Sequence, residues 1–210
     1  MDVVVPGETM PAMFWNAAAM RKDRILMRQK QLGIWHEWTW AQAAETVREI
    51  GNGLLSLGFQ AGDCASIQAN TLVEWVLADM AILSAGGVCS GIYPTDAAPQ
   101  VQYLCEDSRT RFLFVEDDEQ LDKALEVRAQ LPLLTKVIVF DPEGLRDFSD
   151  PDVIDLAALR ELGRIHAKAH PAALDQRIAG CKPEDLAILV YTSGTTGRPK
   201  GAMHSHGGLI

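Results

Sequence analysis

From Cys64 to Phe140 the chain alternates short apolar runs with stretches of helical period, and no other feature constrains its fold as much. Cys64 to Gln68, Val88 to Tyr93, Arg111 to Val115 and Lys136 to Phe140 each have the length and apolar content of a buried strand. Between them, Leu72, Val76, Met80 and Leu83 follow helical spacing, and Pro99 to Glu106 and Glu119 to Ala129 read as further helices. Strands separated by helices pair in parallel through crossover connections. The expected fold is therefore α/β, alternating strands and helices with a mostly parallel sheet.

The flanking segments fit that plan. Pro11 to Met20 is rich in Ala and Met and predicts a helix, and Arg24 to Trp38 predicts two strands turning at Gln31-Leu-Gly33. Thr39 with Gln42 spells a capping box for a helix ending near Leu57 at Gly58, with Ala43, Val47, Ile50 and Leu54 on its apolar face. Thr71 with Glu74 spells a second box ahead of the Leu72 helix. Asp141 to Pro151, rich in Asp, Pro and Gly, predicts a surface excursion before a helix over Asp155 to Lys168. Leu186 to Tyr191 is a further strand-length apolar run.

Composition narrows the function classes. A formal net charge of -9 argues against nucleic acid, whose binding needs clustered Lys and Arg. The start, Met1-Asp-Val-Val-Val-Pro-Gly-Glu, lacks the basic, apolar and small-residue pattern of a secretory signal, so a cytoplasmic location is expected. Val76 to Tyr93 is apolar but holds Asp79, Gly86-Gly87 and Ser90, which suits a buried helix and strand better than a membrane span. Cys64, Cys89, Cys105 and Cys181 form no C-x-x-C pair and read as buried free thiols. His204-Ser-His206 lacks the spacing of a helical metal site. The acidic run Glu116 to Glu119 reads as a solvated helix start.

The chemistry-bearing motif is Tyr191-Thr-Ser-Gly-Thr-Thr-Gly-Arg-Pro-Lys-Gly201, directly after the last predicted strand. Its glycines let backbone N–H groups converge, its hydroxyls donate to phosphate oxygens, and Lys200 adds a compact positive charge. Pro199 stiffens the exit. A Walker A loop is excluded by spacing: counting from Gly194, its second glycine would fall on Pro199, and Gly201 follows Lys200 where Ser or Thr is required.

This string closely resembles the signature loop of the adenylate-forming (acyl-CoA synthetase/AMP-binding) superfamily, which includes acyl-CoA synthetases, peptide-synthetase adenylation domains and luciferases. Looser similarity to bacterial long-chain fatty acid–CoA ligases runs through Asn70-x-x-x-Glu74, Gly91-Ile-Tyr-Pro-Thr to Tyr103, Asp107-Ser108 and Pro183-x-Asp185-x-Ala187. Asp96 departs from the small residue usual in that subgroup.

The resemblance implies an enzyme that joins a fatty acid to ATP as an acyl-adenylate and passes the acyl group to coenzyme A. By position, Ser193, Gly194, Thr195, Thr196, Gly197 and Lys200 would grip the β- and γ-phosphates of ATP. Thr192 would help place Mg2+ beside a glutamate of a later motif. Arg198 sits at a variable position and is expected to be solvated, and His206 to stand near the start of a following helix as scaffold.

Residues 1–210 would be the N-terminal part of the AMP-binding domain, ending after the phosphate loop, without the C-terminal domain and its adenylation lysine. Such a fragment is expected to be inactive alone, and no catalytic residue is assigned within it. Trp75 and Met80 are candidates for an acyl tunnel, although their helical spacing fits core packing better. The expected partners are small molecules, with peripheral membrane contact open for the whole enzyme and oligomeric state unset. Alternatives are an aryl or medium-chain acyl-CoA ligase, an enzyme loading an acyl carrier protein, or a non-catalytic binding module that keeps only the loop.

Overall fold

In a computed structural model describing residues 5–192 and 197–210, the Thr39 capping box is present as read. The Thr39 hydroxyl accepts from the Gln42 N–H, and the Gln42 side chain accepts from the Thr39 N–H. The box opens α2 (Trp40–Ser56), which ends at Leu57 and Gly58, the latter at a φ of 86°. Upstream lie α1 (Met10–Arg21) and an antiparallel ribbon of β1 (Ile25–Gln31) and β2 (Ile34–Thr39).

The alternating region forms β3 (Cys64–Gln68), α3 (Val73–Ser84), β4 (Val88–Ile92), α4 (Ala98–Asp107), β5 (Thr110–Val115), α5 (Asp118–Val127) and β6 (Lys136–Val139). After short 3-10 turns and the surface excursion come β7 (Val153–Asp155), α6 (Leu156–Ala169), α7 (Ala173–Gly180), β8 (Leu186–Thr192) and β9 (Lys200–Ser205). The sheet runs β7-β6-β5-β3-β4-β8-β9 and is parallel throughout except for β9 against β8. The expected α/β fold with a mostly parallel sheet is thus the one observed.

Alternate residues of β5 show how the two faces are covered. Phe112 and Phe114 join the core beneath α1, α2 and α3, whereas Leu113 and Val115 join the core beneath α4 and α5. Burial on both faces explains why β3 is buried along its whole length and why these strands are continuous apolar runs. Within α3, the half-buried Asp79 lies beside Cys89 with one carboxylate oxygen shut off from solvent, and that loss of solvent pushes its carboxyl up to about 6. Cys64, Cys89 and Cys105 are buried free thiols, as expected, while Cys181 is only partly covered.

Three local expectations are corrected. No side chain caps α3: its N-cap is Leu72, and the Val73 N–H instead donates to the Gln29 side chain at 2.8 Å. The helix starts one residue later than the Thr71–Glu74 spelling requires, and its first N–H is satisfied by the ribbon, an element distant in sequence. Of Leu72, Val76, Met80 and Leu83 only Leu83 is fully buried; it joins Val73, Leu77, Ala78, Ala81 and Ile82 in the core, while Val76 is exposed. Finally, Glu116 is not simply solvated, because it accepts from the Asn70 N–H and side-chain amide, tying the end of β5 to the end of β3. Asp117 does cap α5.

Helix α6 crosses α2 closely. Arg160 and Arg164 both reach Glu49, at 2.6 and 3.0 Å, and glycines at 53 and 163 remove the side chains between the helices. A Cβ at Gly163 would fall inside the carbonyl oxygen of Glu49, and one at Gly53 inside that of Leu159. Backbone cannot swing aside as a flexible side chain does. Gly163→Ala should therefore lower stability by about 3 kcal/mol, read as a fall in the urea midpoint; an unchanged midpoint would show that the crossing is loose.

Candidate phosphate-binding site

Strand β8 lies beside β4 in parallel, Cys89 facing Ile188 and Ser90 facing Leu189. The loop after Thr192 therefore leaves from the carboxyl end of the parallel sheet, where ligands of open α/β sheets collect. Connections leaving β3 and β4 there lead to helices on opposite faces, α3 and α4. The divergence opens a crevice.

The chain returns as β9, antiparallel to β8, with Tyr191 opposite Gly201 and Thr192 opposite Lys200. The motif is thus a hairpin connection, and Lys200 is fixed by the strand ladder at its neck. A strand, not a helix, follows the loop, which separates it from the P-loop architecture by topology as well as by spacing. Residues Ser193, Gly194, Thr195 and Thr196 lie outside the described residues. The described members are brought together: Thr192 and Lys200 are exposed across from each other, and Gly197 stands at a φ of 108°. Among the described residues Lys200 has no carboxylate within ion-pair distance. Its charge is available to an anion.

Helix α4 clasps both ends of this hairpin. The Tyr103 hydroxyl donates to the Pro199 carbonyl at 2.7 Å, and the Tyr191 hydroxyl donates to Asp107 Oδ2 at 2.7 Å. Tyr103 and Asp107 are one helical turn apart, so they share a face. Arg198 is exposed as expected, yet its guanidinium lies 5.1 Å from the Tyr103 ring centre. Burial, and then the Asp107 carboxylate, push the Tyr191 phenol well above its ordinary value, so it stays a donor. At the far end of the strand pair, the His206 N–H donates to the Asp185 carbonyl at 3.1 Å.

His206 is corrected in place. It occupies a turn directly after β9, its ring is buried, and burial pulls its pKa down from the ordinary imidazole value against the opposing pull of Asp185. His204 is exposed on the strand, so the two rings do not share an environment.

Two cavities flank exposed Tyr93 at the crevice. One, about 470 Å³, is bordered by Asp96, Gln100, Thr192 and Pro199. The other, about 280 Å³, is bordered by Trp75, Ile188 and Val190. Gly91 borders both, and a Cβ there would stand 3.7 Å from the Trp75 ring. Trp75 therefore sits beside the end of β8 that leads into the loop, while Met80 lines a separate apolar cavity of about 360 Å³ under α1. Of the two tunnel candidates, only Trp75 is near the site.

Residues 14–210 match the family described as AMP-binding enzyme. The chain belongs to this family of adenylate-forming enzymes. A long-chain-fatty-acid–CoA ligase of Mycobacterium bovis is 37% identical over 188 residues, covering 90% of this chain and 30% of that protein. One of Xenopus laevis is 32% identical over 202 residues, covering 96% and 27%. Among solved structures, an anthranilate CoA ligase in complex with anthranoyl-AMP superposes with a TM-score of 0.78 at 24% identity, over 98% of this chain and 36% of that one. The chain thus spans under a third of the length of these curated relatives.

Sequence reasoning missed the clasp by Tyr103 and Asp107 in this AMP-binding chain. Their spacing of four on a predicted helix was a visible signal, but their target lies some ninety residues on. The fit of Gly201 under Tyr191 is equally specific: a Cβ at Gly201 would stand 3.1 Å from the ring. Gly201→Ala should cost about 1–3 kcal/mol by urea denaturation, and distinctly less in a Tyr191→Ala background. Equal costs in both backgrounds would remove the ring as the obstacle.

Proposed function

We propose that this chain carries the phosphate-gripping half of the ATP site in an enzyme that activates long-chain fatty acids as acyl-adenylates and transfers them to coenzyme A. The observation that carries this reading is the placement of Lys200. It stands opposite Thr192 at the neck of the glycine and hydroxyl loop, exposed, at the carboxyl end of the sheet. The names of the curated relatives support the long-chain fatty acid and the thiol acceptor.

The chemistry explains why such a loop is needed. A carboxylate is a poor electrophile, so one of its oxygens attacks the α-phosphorus of ATP while the bond to the β-phosphate oxygen breaks. Charge develops on the departing pyrophosphate, and fixed donors aimed at it lower the barrier. In this reading Ser193, Gly194, Thr195, Thr196, Gly197 and Lys200 hold the β- and γ-phosphates. Gly197 suits the part, since its backbone conformation disfavours a side chain and nothing stands within 4 Å of a Cβ there.

Thr192 offers one hydroxyl at the loop entrance, which fits Mg2+, an ion that takes few protein oxygens and completes its shell with water and substrate phosphates. The metal would neutralise phosphate charge. The clasp by Tyr103 and Tyr191 keeps the loop ends in place, so less ordering is required when nucleotide binds. The apolar cavity beside Trp75 gives a hydrocarbon chain a surface next to the reacting carboxylate.

The complete gene product should catalyse ATP–pyrophosphate exchange only when a long-chain fatty acid is present. Lys200→Ala should slow that exchange by about 100-fold, the usual cost of losing one donor to developing charge. Exchange that needs no fatty acid, or that survives Lys200→Ala intact, would contradict the reading.

A further inference from the structure

At its C-terminal end α6 brings together two histidines that have no part in the phosphate site. His166 and His170 have the i, i+4 spacing with which one helix face can hold an ion, the spacing that His204-Ser-His206 lacks. His170 is the C-cap of α6, and its N–H donates to the His166 carbonyl at 2.8 Å. Pro171 follows and keeps the helix from continuing. The two rings meet there, with centres 4.8 Å apart and planes inclined by 43°. Two imidazoles on one ion, with metal–nitrogen bonds of about 2.0–2.1 Å and an angle of roughly 90–110° at the metal, have ring centres about 4.5–5.3 Å apart. The observed spacing falls inside that range.

The first ring is held as a ligand would be. Asn52, buried on α2, donates its side-chain N–H to the Arg48 carbonyl at 2.9 Å, which turns its amide oxygen toward His166 Nδ1 at 3.2 Å. An amide oxygen only accepts, so Nδ1 carries the proton and Nε2 keeps its lone pair. Metal-binding histidines are supported in this way, the far ring nitrogen donating to a fixed oxygen. The same bond ties α6 to α2, and that structural duty accounts for His166 alone. It does not account for His170, whose exposed ring makes no hydrogen bond among the described residues and yet rests against the first.

A cavity of about 480 Å³ opens on the pair, bordered also by Ala169, Pro171, Ala173 and Gln176. Gln176, on α7, is the one other bordering residue with an oxygen in its side chain. The guanidinium of Arg48 is paired with Asp175 at 2.9 Å. Among the described residues no third His, Cys, Asp or Glu completes a cluster, which leaves the remaining positions around an ion to water and Gln176. Imidazole pairs suit copper, nickel and zinc, whereas magnesium and calcium take oxygen ligands.

We propose that His166 Nε2 and the His170 ring chelate one late first-row transition-metal ion, Cu2+, Ni2+ or Zn2+, at the end of α6. The ion staples the last turn of the helix whose Gly163 and Arg164 hold it against α2. It is separate from the magnesium of the phosphate site in both place and chemistry.

The test titrates the complete gene product, stripped beforehand with a chelator, with ZnCl2 and NiCl2, following heat and the thermal midpoint, in the presence and absence of MgCl2. The expected result is that either ion binds and raises the midpoint, that excess Mg2+ does not displace it, and that affinity falls about tenfold or more in His170→Gln and in His166→Gln, since one imidazole cannot chelate. His170→Gln is the decisive variant. Its exposed ring bonds to nothing, so the fold is kept, and every other histidine remains to reveal binding elsewhere. Unchanged Zn2+ and Ni2+ affinity in folded His170→Gln would overturn the proposal. So would displacement by Mg2+, or failure of the unaltered protein to bind either ion.

Discussion

The antiparallel pairing of β9 against β8 sets Lys200 opposite Thr192, and the rest of the candidate site depends on that register. A slip of one residue would turn Lys200 to the other face of the sheet and bring a residue with a Cβ beneath Tyr191. The register is held at several points. Tyr191 covers Gly201, its hydroxyl reaches Asp107, the Tyr103 hydroxyl holds Pro199, and the His206 N–H closes onto Asp185. The neck of the loop is therefore braced by α4 and by the last turn, and the lysine is presented without a carboxylate partner among the described residues.

Beneath the hairpin, the buried parallel strands supply the platform. β3, β4 and β5 are covered on both faces, and the helices after β3 and β4 leave to opposite sides. That divergence gives the AMP-binding chain a crevice at the point where β8 delivers the loop. Cavities on either side of Tyr93 differ in character, one bordered by Asp96, Gln100 and Thr192, the other by Trp75 and Val190.

What was legible in the sequence follows the range of the forces involved. The Thr39 box could be read because both of its hydrogen bonds are local, and the buried strands because two covered faces demand continuous apolar runs. Thr71 and Glu74 show the same spelling and fail, since α3 takes Leu72 as its N-cap and its first N–H goes to Gln29 of the ribbon, a partner 44 residues away. Strand β9 was not legible: Lys-Gly-Ala-Met-His-Ser has neither alternation nor an apolar run, and it is held by pairing with β8. Short β7 and α7, the latter following His170-Pro171, give too little period to stand out. For the site, residue types and spacing exposed the loop, but the clasp joins positions far apart in sequence.

The central claim is that Lys200 acts on the outer phosphates of ATP from a position fixed by the strand ladder. Calorimetric titration of the complete gene product with ATP and with AMP, each with magnesium, compares the two ligands directly in the unaltered protein and in Lys200→Ala. The account predicts that the substitution weakens ATP about tenfold or more, as loss of a charged hydrogen bond does, and leaves AMP affinity unchanged. An equal loss for both nucleotides, or no loss for ATP, would contradict it.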